Sequence, residues 1–394
     1  MESSNADSVI RVMVQQPALA HYRVSVFAAL ASRPGIHCRI YYGQTSDLPN
    51  VKPAGFDAVY VPQKRLRLLS RHLVWHGPQW RCARKGQCDV LMLSWDVQYI
   101  SLLAGLLRAK WNRIPVVLWG HGYSKREAGW RRLIRNRVAR LATALLFYNH
   151  TVARQFATEG WDPQRLFVAL NSLDQAPIAQ ARDHWLARPA ELEAFRRQHN
   201  LVPGRTILFV SRFDPDNRVD LLIEAVARLA PKYPGVKAVI IGKGEPEGQR
   251  LRDLAARLNV GPQVMFPGAI YGQLELAPWF LCSDLFCYPA NIGLSILHAF
   301  GYGLPVVTDD NVAAQNPEIE ALRDGETGFL YRAGDAGALA QCLGRLLGDA
   351  ALRQRLGQNA RRLVEEEFTI GRMVDGMEAA IRYCMSTWRS PSFR

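Results

Sequence analysis

Short runs of β-branched and aliphatic residues alternate with longer segments of helical period along almost the whole chain, and no other feature constrains the fold as much. Repeated strand–helix–strand order is the habit of a parallel sheet covered by helices. The runs predicted as strands in the first half are Val9 to Gln15, Cys38 to Tyr42, Val90 to Ser94, Val116 to Gly120, Ala144 to Tyr148 and Phe167 to Leu170. In the second half they are Thr206 to Ser211, Lys237 to Gly242, Val264 to Pro267, Leu285 to Tyr288 and Pro305 to Thr308. Each half is a βα series of its own, so the expected fold class is α/β, with two tandem Rossmann-like domains and a cleft between them. A length of 394 residues suits two domains better than one. Gln175 to Asn200 is polar, loses the strand rhythm and ends in Leu201-Val202-Pro203-Gly204, a turn signal before a fresh strand. The expected divisions are therefore residues 1–203, residues 204–372, and a C-terminal helix and tail over 373–394 that packs back on the first domain. The last residues, Ser390 to Arg394, read as frayed.

A content of 48% hydrophobic and 21% charged residues excludes wholesale disorder, collagen and a disulfide scaffold. The net charge of +14 is unevenly spread: residues 1–200 carry 28 Lys and Arg against 13 Asp and Glu, the rest 21 against 22. The basic half attracts phosphate-rich matter, and charge alone does not choose among anionic lipid, nucleic acid and an acidic substrate. Seven cysteines without a CxxC pair or a Cys/His cluster leave no metal or redox motif. Cys282 and Cys287 lie in apolar, strand-like surroundings and read as core residues. The polar, acidic start MESSNADSVIRVMVQQP is not expected to be a signal peptide, and the apolar stretch Val97 to Leu107 falls short of a roughly 20-residue span. A cytoplasmic chain that crosses no membrane is the expectation.

Ligands of α/β sheets bind beyond the carboxyl ends of the strands, so the chemistry belongs in the loops found there. After Ile207-Leu208-Phe209-Val210 comes Ser211-Arg212-Phe213-Asp214-Pro215-Asp216-Asn217-Arg218 and then an amphipathic helix start. Two guanidinium groups beside a helix N-terminus suit a diphosphate, although a solvated Pro-Asp turn reads equally well from this segment alone. The next strand ends in Gly242-Lys243-Gly244-Glu245-Pro246, whose glycines permit either a tight turn or a close ligand approach. The most specific segment runs from Tyr288-Pro289-Ala290-Asn291-Ile292-Gly293-Leu294-Ser295 through His298 to Gly303-Leu304-Pro305. There a strand, a small-residue loop, a helix start and a closing turn follow one another.

In this order the segments resemble the family 4 glycosyltransferases of the GT-B fold, and Asp324-Gly325-Glu326-Thr327-Gly328-Phe329-Leu330 is similar to that family's G-x-T-G-F turn. In the first half, Pro17-Ala18-Leu19-Ala20-His21-Tyr22-Arg23, Trp119-Gly120-His121-Gly122 and Asn171-Ser172-Leu173-Asp174 resemble looser motifs of the same family, and the likeness spans roughly residues 9–370. It implies transfer of a sugar from a nucleotide diphosphate donor to a hydroxyl of a glycan or lipid-linked saccharide, retaining and independent of metal. The second domain is then the nucleotide-sugar side, with Arg212, Asn217, Arg218, Gly242, Gly244, Asn291, Gly293, Leu294, Ser295 and His298 at the donor. The first domain is the acceptor side, with His21, Tyr22 and Arg23, and with His121 facing the donor sugar as the catalytic candidate. In this mechanism the leaving diphosphate, rather than an enzyme carboxylate, deprotonates the acceptor.

The pattern also departs from the family's. Ala290 and His298 stand where it places two glutamates, and Asn217 where it places a lysine, with Arg218 alongside. A subgroup with GLS and histidine in this helix would let His298 hydrogen-bond ribose or sugar. These departures keep open a catalytically degenerate nucleotide-sugar-binding relative. A nucleic-acid binder using the basic half is not expected, because no recognised motif or aromatic stacking platform accompanies the charge. Finally, 124–140 reads as a basic amphipathic helix, with Trp130, Leu133, Ile134 and Val138 on one face and arginines on the other. It suits an anionic membrane surface and core packing about equally, and the first would place the protein peripherally on the inner face of a membrane.

Overall fold

The computed structural model describes residues 9–45, 49–68, 71–123 and 129–389. The expected fraying of Ser390 to Arg394 and the first residues of the predicted basic helix, Ser124 to Ala128, lie outside the described residues. The chain forms two compact units: one runs to Asn171 and resumes at Ile370, and the other is Ser172–Thr369.

The strands of the first unit are β1 (Ile10–Gln16), β2 (Ile36–Tyr42), β3 (Asp57–Tyr60), β4 (Lys64–Leu68), β5 (Arg71–Trp75), β6 (Val90–Ser94), β7 (Val116–Gly120), β8 (Ala144–Phe147) and β9 (Leu166–Val168). Seven of them form a parallel sheet in the order β3-β2-β1-β6-β7-β8-β9, and β4 and β5 pair separately as an antiparallel hairpin. Its helices are α1 (His21–Ala31), α2 (Gly77–Arg81), α3 (Ile100–Trp111), α4 (Gly129–Ala139) and α5 (His150–Thr158). Every residue of β6, β7 and β8 is buried, as expected where helices cover both faces of a sheet. Alternation then divides the core. Val90, Met92, Val117 and Trp119 face α1, whereas Leu91, Leu93, Val116 and Leu118 face α3 and α5.

The second unit opens with α6 (Ala176–Leu186) and α7 (Pro189–Gln198). A six-stranded parallel sheet follows, built from β10 (Thr206–Val210), β11 (Lys237–Ile241), β12 (Val264–Gly268), β13 (Leu285–Cys287), β14 (Val306–Asp309) and β15 (Gly328–Tyr331) in the order β12-β11-β10-β13-β14-β15. Its other helices are α8 (Val219–Leu229), α9 (Glu247–Arg257), α10 (Gln273–Leu281), α11 (Ser295–Gly301), α12 (Ala336–Gly348) and α13 (Ala350–Glu366). The chain ends in α14 (Ile370–Arg389).

The division falls after Asn171 rather than at Gly204. The polar segment that reads as a linker is the pair α6 and α7, which belongs to the second unit. Gln175 donates to the Leu297 carbonyl at 3.3 Å, Arg182 to the Gly301 carbonyl at 3.2 Å, and the Trp185 indole to the Leu274 carbonyl at 2.8 Å. Polar side chains that bond backbone carbonyls resemble solvated ones in sequence. The last segment is one helix, α14, whose Met373, Val374, Met377, Ala380, Ile381 and Cys384 fill the α1 side of the first unit's core. At Gly376 a Cβ would collide with the Val168 carbonyl oxygen, so the helix and strand backbones touch there.

Four strands were not apparent from sequence: β3, the hairpin pair β4 and β5, and β15. β3 is an edge strand with little burial, and the basic β4 sequence KRLRL hides a hairpin. β15 lies in the segment read as a turn, and its Phe329 and Tyr331 are buried beside β14. The hairpin leads into a buried polar network at the carboxyl end of β1. Gln15 lies 3.0 Å from His76 Nδ1, His76 Nε2 lies 3.1 Å from the Val61 carbonyl, and the Gln79 amide donates to Gln15 Oε1 at 2.8 Å. A carbonyl only accepts, so Nε2 bears the proton and Nδ1 accepts from Gln15, which makes the imidazole neutral. Burial pushes the His76 pKa down to about 4. Because the folded value lies below the unfolded one, His76 costs nothing above the ordinary histidine value. It draws stability away as the pH falls from there toward about 4. His76→Gln, which can keep both hydrogen bonds, is expected to flatten the pH dependence of the melting temperature in that window. An unchanged slope would remove His76 as its source.

Candidate functional site

The second unit's candidate residues converge because their loops leave three adjacent strands, β11, β10 and β13. After β10 the chain turns through Pro215–Asn217, closes on Arg218 in the left-handed region at φ 52° and enters α8. The loops are cross-linked. The Phe213 N–H donates to the Lys243 carbonyl at 2.9 Å, and the Tyr288 hydroxyl pairs with Ser211 Oγ at 3.0 Å. The Asn217 amide donates to the Arg212 carbonyl at 2.9 Å, and its Oδ1 accepts from Asn291 at 3.2 Å. Asn291 adopts φ 61°, and the Asn316 amide donates to its carbonyl at 2.9 Å.

This geometry gives the candidates different places. Arg212 is exposed at the head of its loop. Arg218 is half-exposed and forms a bidentate pair with Asp220, Nη2 to Oδ2 at 3.1 Å. Asn217 is buried and bridges two loops, so it stiffens the platform where a lysine would have extended a charge. Gly242 and Gly244 lie against the Ser211–Phe213 backbone so closely that a Cβ on either would strike a carbonyl oxygen. Gly293 and Leu294 lead into α11, whose first residue, Ser295, donates from Oγ to the Val210 carbonyl at 3.3 Å. His298 lies toward α10. The Gln273 amide is 2.8 Å from its Nε2, and its ring packs on Phe280 with centroids 4.6 Å apart. Sequence reasoning missed Ser211, Tyr288, Gln273 and Asn316. Their common signal is position, since each lies at a strand end, a helix start or a loop facing one.

In the first unit the candidates form a second cluster at the carboxyl ends of β1, β7 and β8. His21 opens α1 and stacks edge-on against Tyr22, and its burial lowers its pKa. Arg23 is only 6% exposed, and its guanidinium lies over Tyr22, Trp119 and Tyr148 at 5.2, 4.8 and 5.1 Å. Arginine stacks on aromatic faces in this way because its charge is spread over a weakly hydrated plane. His121 is exposed just beyond β7, with its ring 4.8 Å from that of Tyr148. Tyr148 thus joins His121 to Arg23, and no motif had pointed to it.

The basic helix differs from its predicted arrangement. In α4, Leu133 is 64% exposed and Ile134 is also exposed, while Val138 packs on the core. Arg135 turns inward, with its guanidinium 4.8 Å from the centre of the Tyr123 ring, and Arg132 pairs with Glu159. Arginine and apolar residues therefore share both faces. Among the described residues no group of three or more His, Cys, Asp or Glu could hold a metal ion, and no helix is long and apolar enough to cross a membrane.

Two tandem Rossmann-like units define the fold class of the GT-B glycosyltransferases. Among solved structures of that fold, HepE of Anabaena, in complex with UDP, matches with a TM-score of 0.70 at 16% identity, over 95% of this chain and 99% of that one. Residues 192–363, which lie in the second unit, match the family model described as glycosyl transferases group 1. An exopolysaccharide phosphotransferase of Streptomyces coelicolor is 36% identical over 172 residues, 43% of this chain and 17% of the relative. A D-inositol 3-phosphate glycosyltransferase of Streptomyces avermitilis is 32% identical over 193 residues, 45% of this chain and 40% of the relative. The chain spans less than half the length of these two curated relatives.

Proposed function

We propose that this chain is a retaining, metal-independent glycosyltransferase that moves a sugar from a nucleoside diphosphate to a hydroxyl of a glycan or lipid-linked saccharide. The observation that carries this reading is the cross-linked platform of three loops at β11, β10 and β13, inside the segment that matches the group 1 family model. Arg212 and Arg218 offset the charge that builds on the leaving diphosphate, with the backbone N–H groups around Gly293, Leu294 and Ser295 beside them. Gly242 and Gly244 act on the donor through the Ser211–Phe213 loop, which packs where their side chains would be, and Asn291 and His298 serve the ribose or sugar. His121 supports the sugar carbon as its bond to phosphate breaks and the bond to the acceptor oxygen forms, while the acceptor proton passes to a diphosphate oxygen. His21, Tyr22 and Arg23 receive the acceptor. The protein is proposed to work in the cytoplasm.

Calorimetric titration with UDP, GDP and ADP, followed by transfer and hydrolysis assays with the corresponding sugar nucleotides, tests this reading. Arg212→Ala is expected to weaken the bound nucleotide by about 1.5 kcal/mol, the scale of a hydrogen bond to a charged group. Equal affinity in the variant would remove Arg212 from the donor site. Transfer is expected to survive excess EDTA, and a complete loss restored by magnesium or manganese would overturn the metal-free mechanism. A nucleotide-sugar binder without catalysis is the second reading, favoured by Ala290 and by the buried, bridging Asn217. Nucleotide binding without transfer or hydrolysis would select it.

A further inference from the structure

The outer face of α3 is apolar. Ile100, Leu103, Leu107 and Trp111 are all exposed, Leu107 by 52% and Trp111 by 88%. At roughly 100° per residue they form one stripe, opposite Leu102, Leu106 and Ala109, which are buried against the sheet. Single exposed apolar residues are ordinary on any protein, but a continuous stripe is not.

Its border is basic. On the same wheel Lys110 flanks the stripe on one side and Arg108 on the other. The Arg108 guanidinium lies 4.3 Å from the centre of the Trp80 ring, and the Asn112 amide donates to the Ala83 carbonyl at 3.1 Å. The segment around α2 therefore adjoins the carboxyl half of the stripe, where Trp80, Arg81, Arg84 and Lys85 are exposed. From 58 to 88 the sequence holds seven Lys and Arg and no Asp or Glu.

We propose that this face is a docking surface for an anionic lipid bilayer, with the α3 stripe at the boundary of headgroups and acyl chains and the basic rim against lipid phosphates. Leucine and tryptophan on the apolar side and lysine and arginine at the edge are the composition that lies in such an interface, and each basic group adds attraction to a negative surface. A second copy fits less well, because a two-fold interface would set this acid-free rim against itself. The surface is carried by α3 and α2 rather than by α4. It belongs to the first unit and the donor candidates to the second, so it does not depend on the proposed transfer.

Co-sedimentation of the full chain with phosphatidylcholine vesicles, with and without phosphatidylglycerol, tests it. The unaltered chain is expected to bind the vesicles containing phosphatidylglycerol and to be released by salt. Leu107→Gln/Trp111→Gln and, separately, Arg84→Glu/Lys85→Glu are expected to weaken that binding by about tenfold or more at unchanged melting temperature and nucleotide affinity. All four positions are exposed, so folding is not at stake. Absence of binding by the unaltered chain, or equal binding by the α3 variant, would overturn the proposal. So would sedimentation showing that the α3 variant splits a dimer into monomers, which would make the stripe a subunit interface.

Discussion

His121→Ala is expected to lower sugar-transfer turnover about 100-fold, the lower end of what one positioned polar catalyst contributes, while nucleotide affinity and melting temperature stay nearly unchanged. The backbone around it is held from both sides. At Gly120 a Cβ would come within 2.8 Å of Trp95 Cβ, and at Gly122, with φ 71°, one would come within 2.6 Å of Val152. Between these anchored glycines the imidazole is exposed, with its ring 4.8 Å from that of Tyr148. An exposed ring supplies little folding energy, so its loss has little to subtract from stability. An interaction made mainly in the transition state appears in turnover and not in ground-state binding. Turnover, nucleotide affinity and melting temperature measured on one preparation decide the matter. A stable variant with undiminished turnover defeats the assignment, and one that melts early but keeps its rate when folded makes His121 a structural residue.

Gly242→Ala is expected to destabilise the second unit by about 3 kcal/mol or more, the upper range for forcing an extra carbon into a packed site. The added Cβ would fall inside the contact distance of the Ser211 carbonyl oxygen and 2.9 Å from the Phe213 ring. Neither can yield cheaply. Ser211 N–H donates to the Ile241 carbonyl at 3.0 Å, and Phe213 N–H donates to the Lys243 carbonyl at 2.9 Å, so the two loops move only by breaking the bonds that join them. Nucleotide affinity should fall along with stability, because Arg212 sits on the displaced loop. Denaturant unfolding and nucleotide titration check both effects, and a variant with wild-type stability would show that the backbones can part there.

The α/β class, the two series of strands and most of the strand positions were legible because they follow from local chemistry. Val90 to Ser94 and Val116 to Gly120 are strands at the residues where their apolar runs lie, since a strand buried on both faces must be apolar throughout. The loops of the second unit were legible for the same reason: glycines and arginines placed directly after strands mark the carboxyl edge of a parallel sheet, where the N–H groups of the following helices' first turns stand open. What stayed hidden depends on partners distant in sequence. Gln175, Arg182 and Trp185 read as linker because bonding to carbonyls about 90 to 120 positions away leaves no periodic trace. Arg135 read as one of the arginines opposite the apolar face until the fold set Tyr123 beside it, and Asn217 read as a donor-site residue in a lysine's place until Asn291 was brought to its side chain. The sequence by itself thus determined which segments are strands and which loops lie at their carboxyl ends, because burial and backbone geometry act residue by residue. Which polar side chains hold the loops together and which stay exposed was decided only by the tertiary structure. A hydrogen-bonding group spends its capacity on whatever the fold brings within about 3 Å, and the sequence alone leaves that neighbour open.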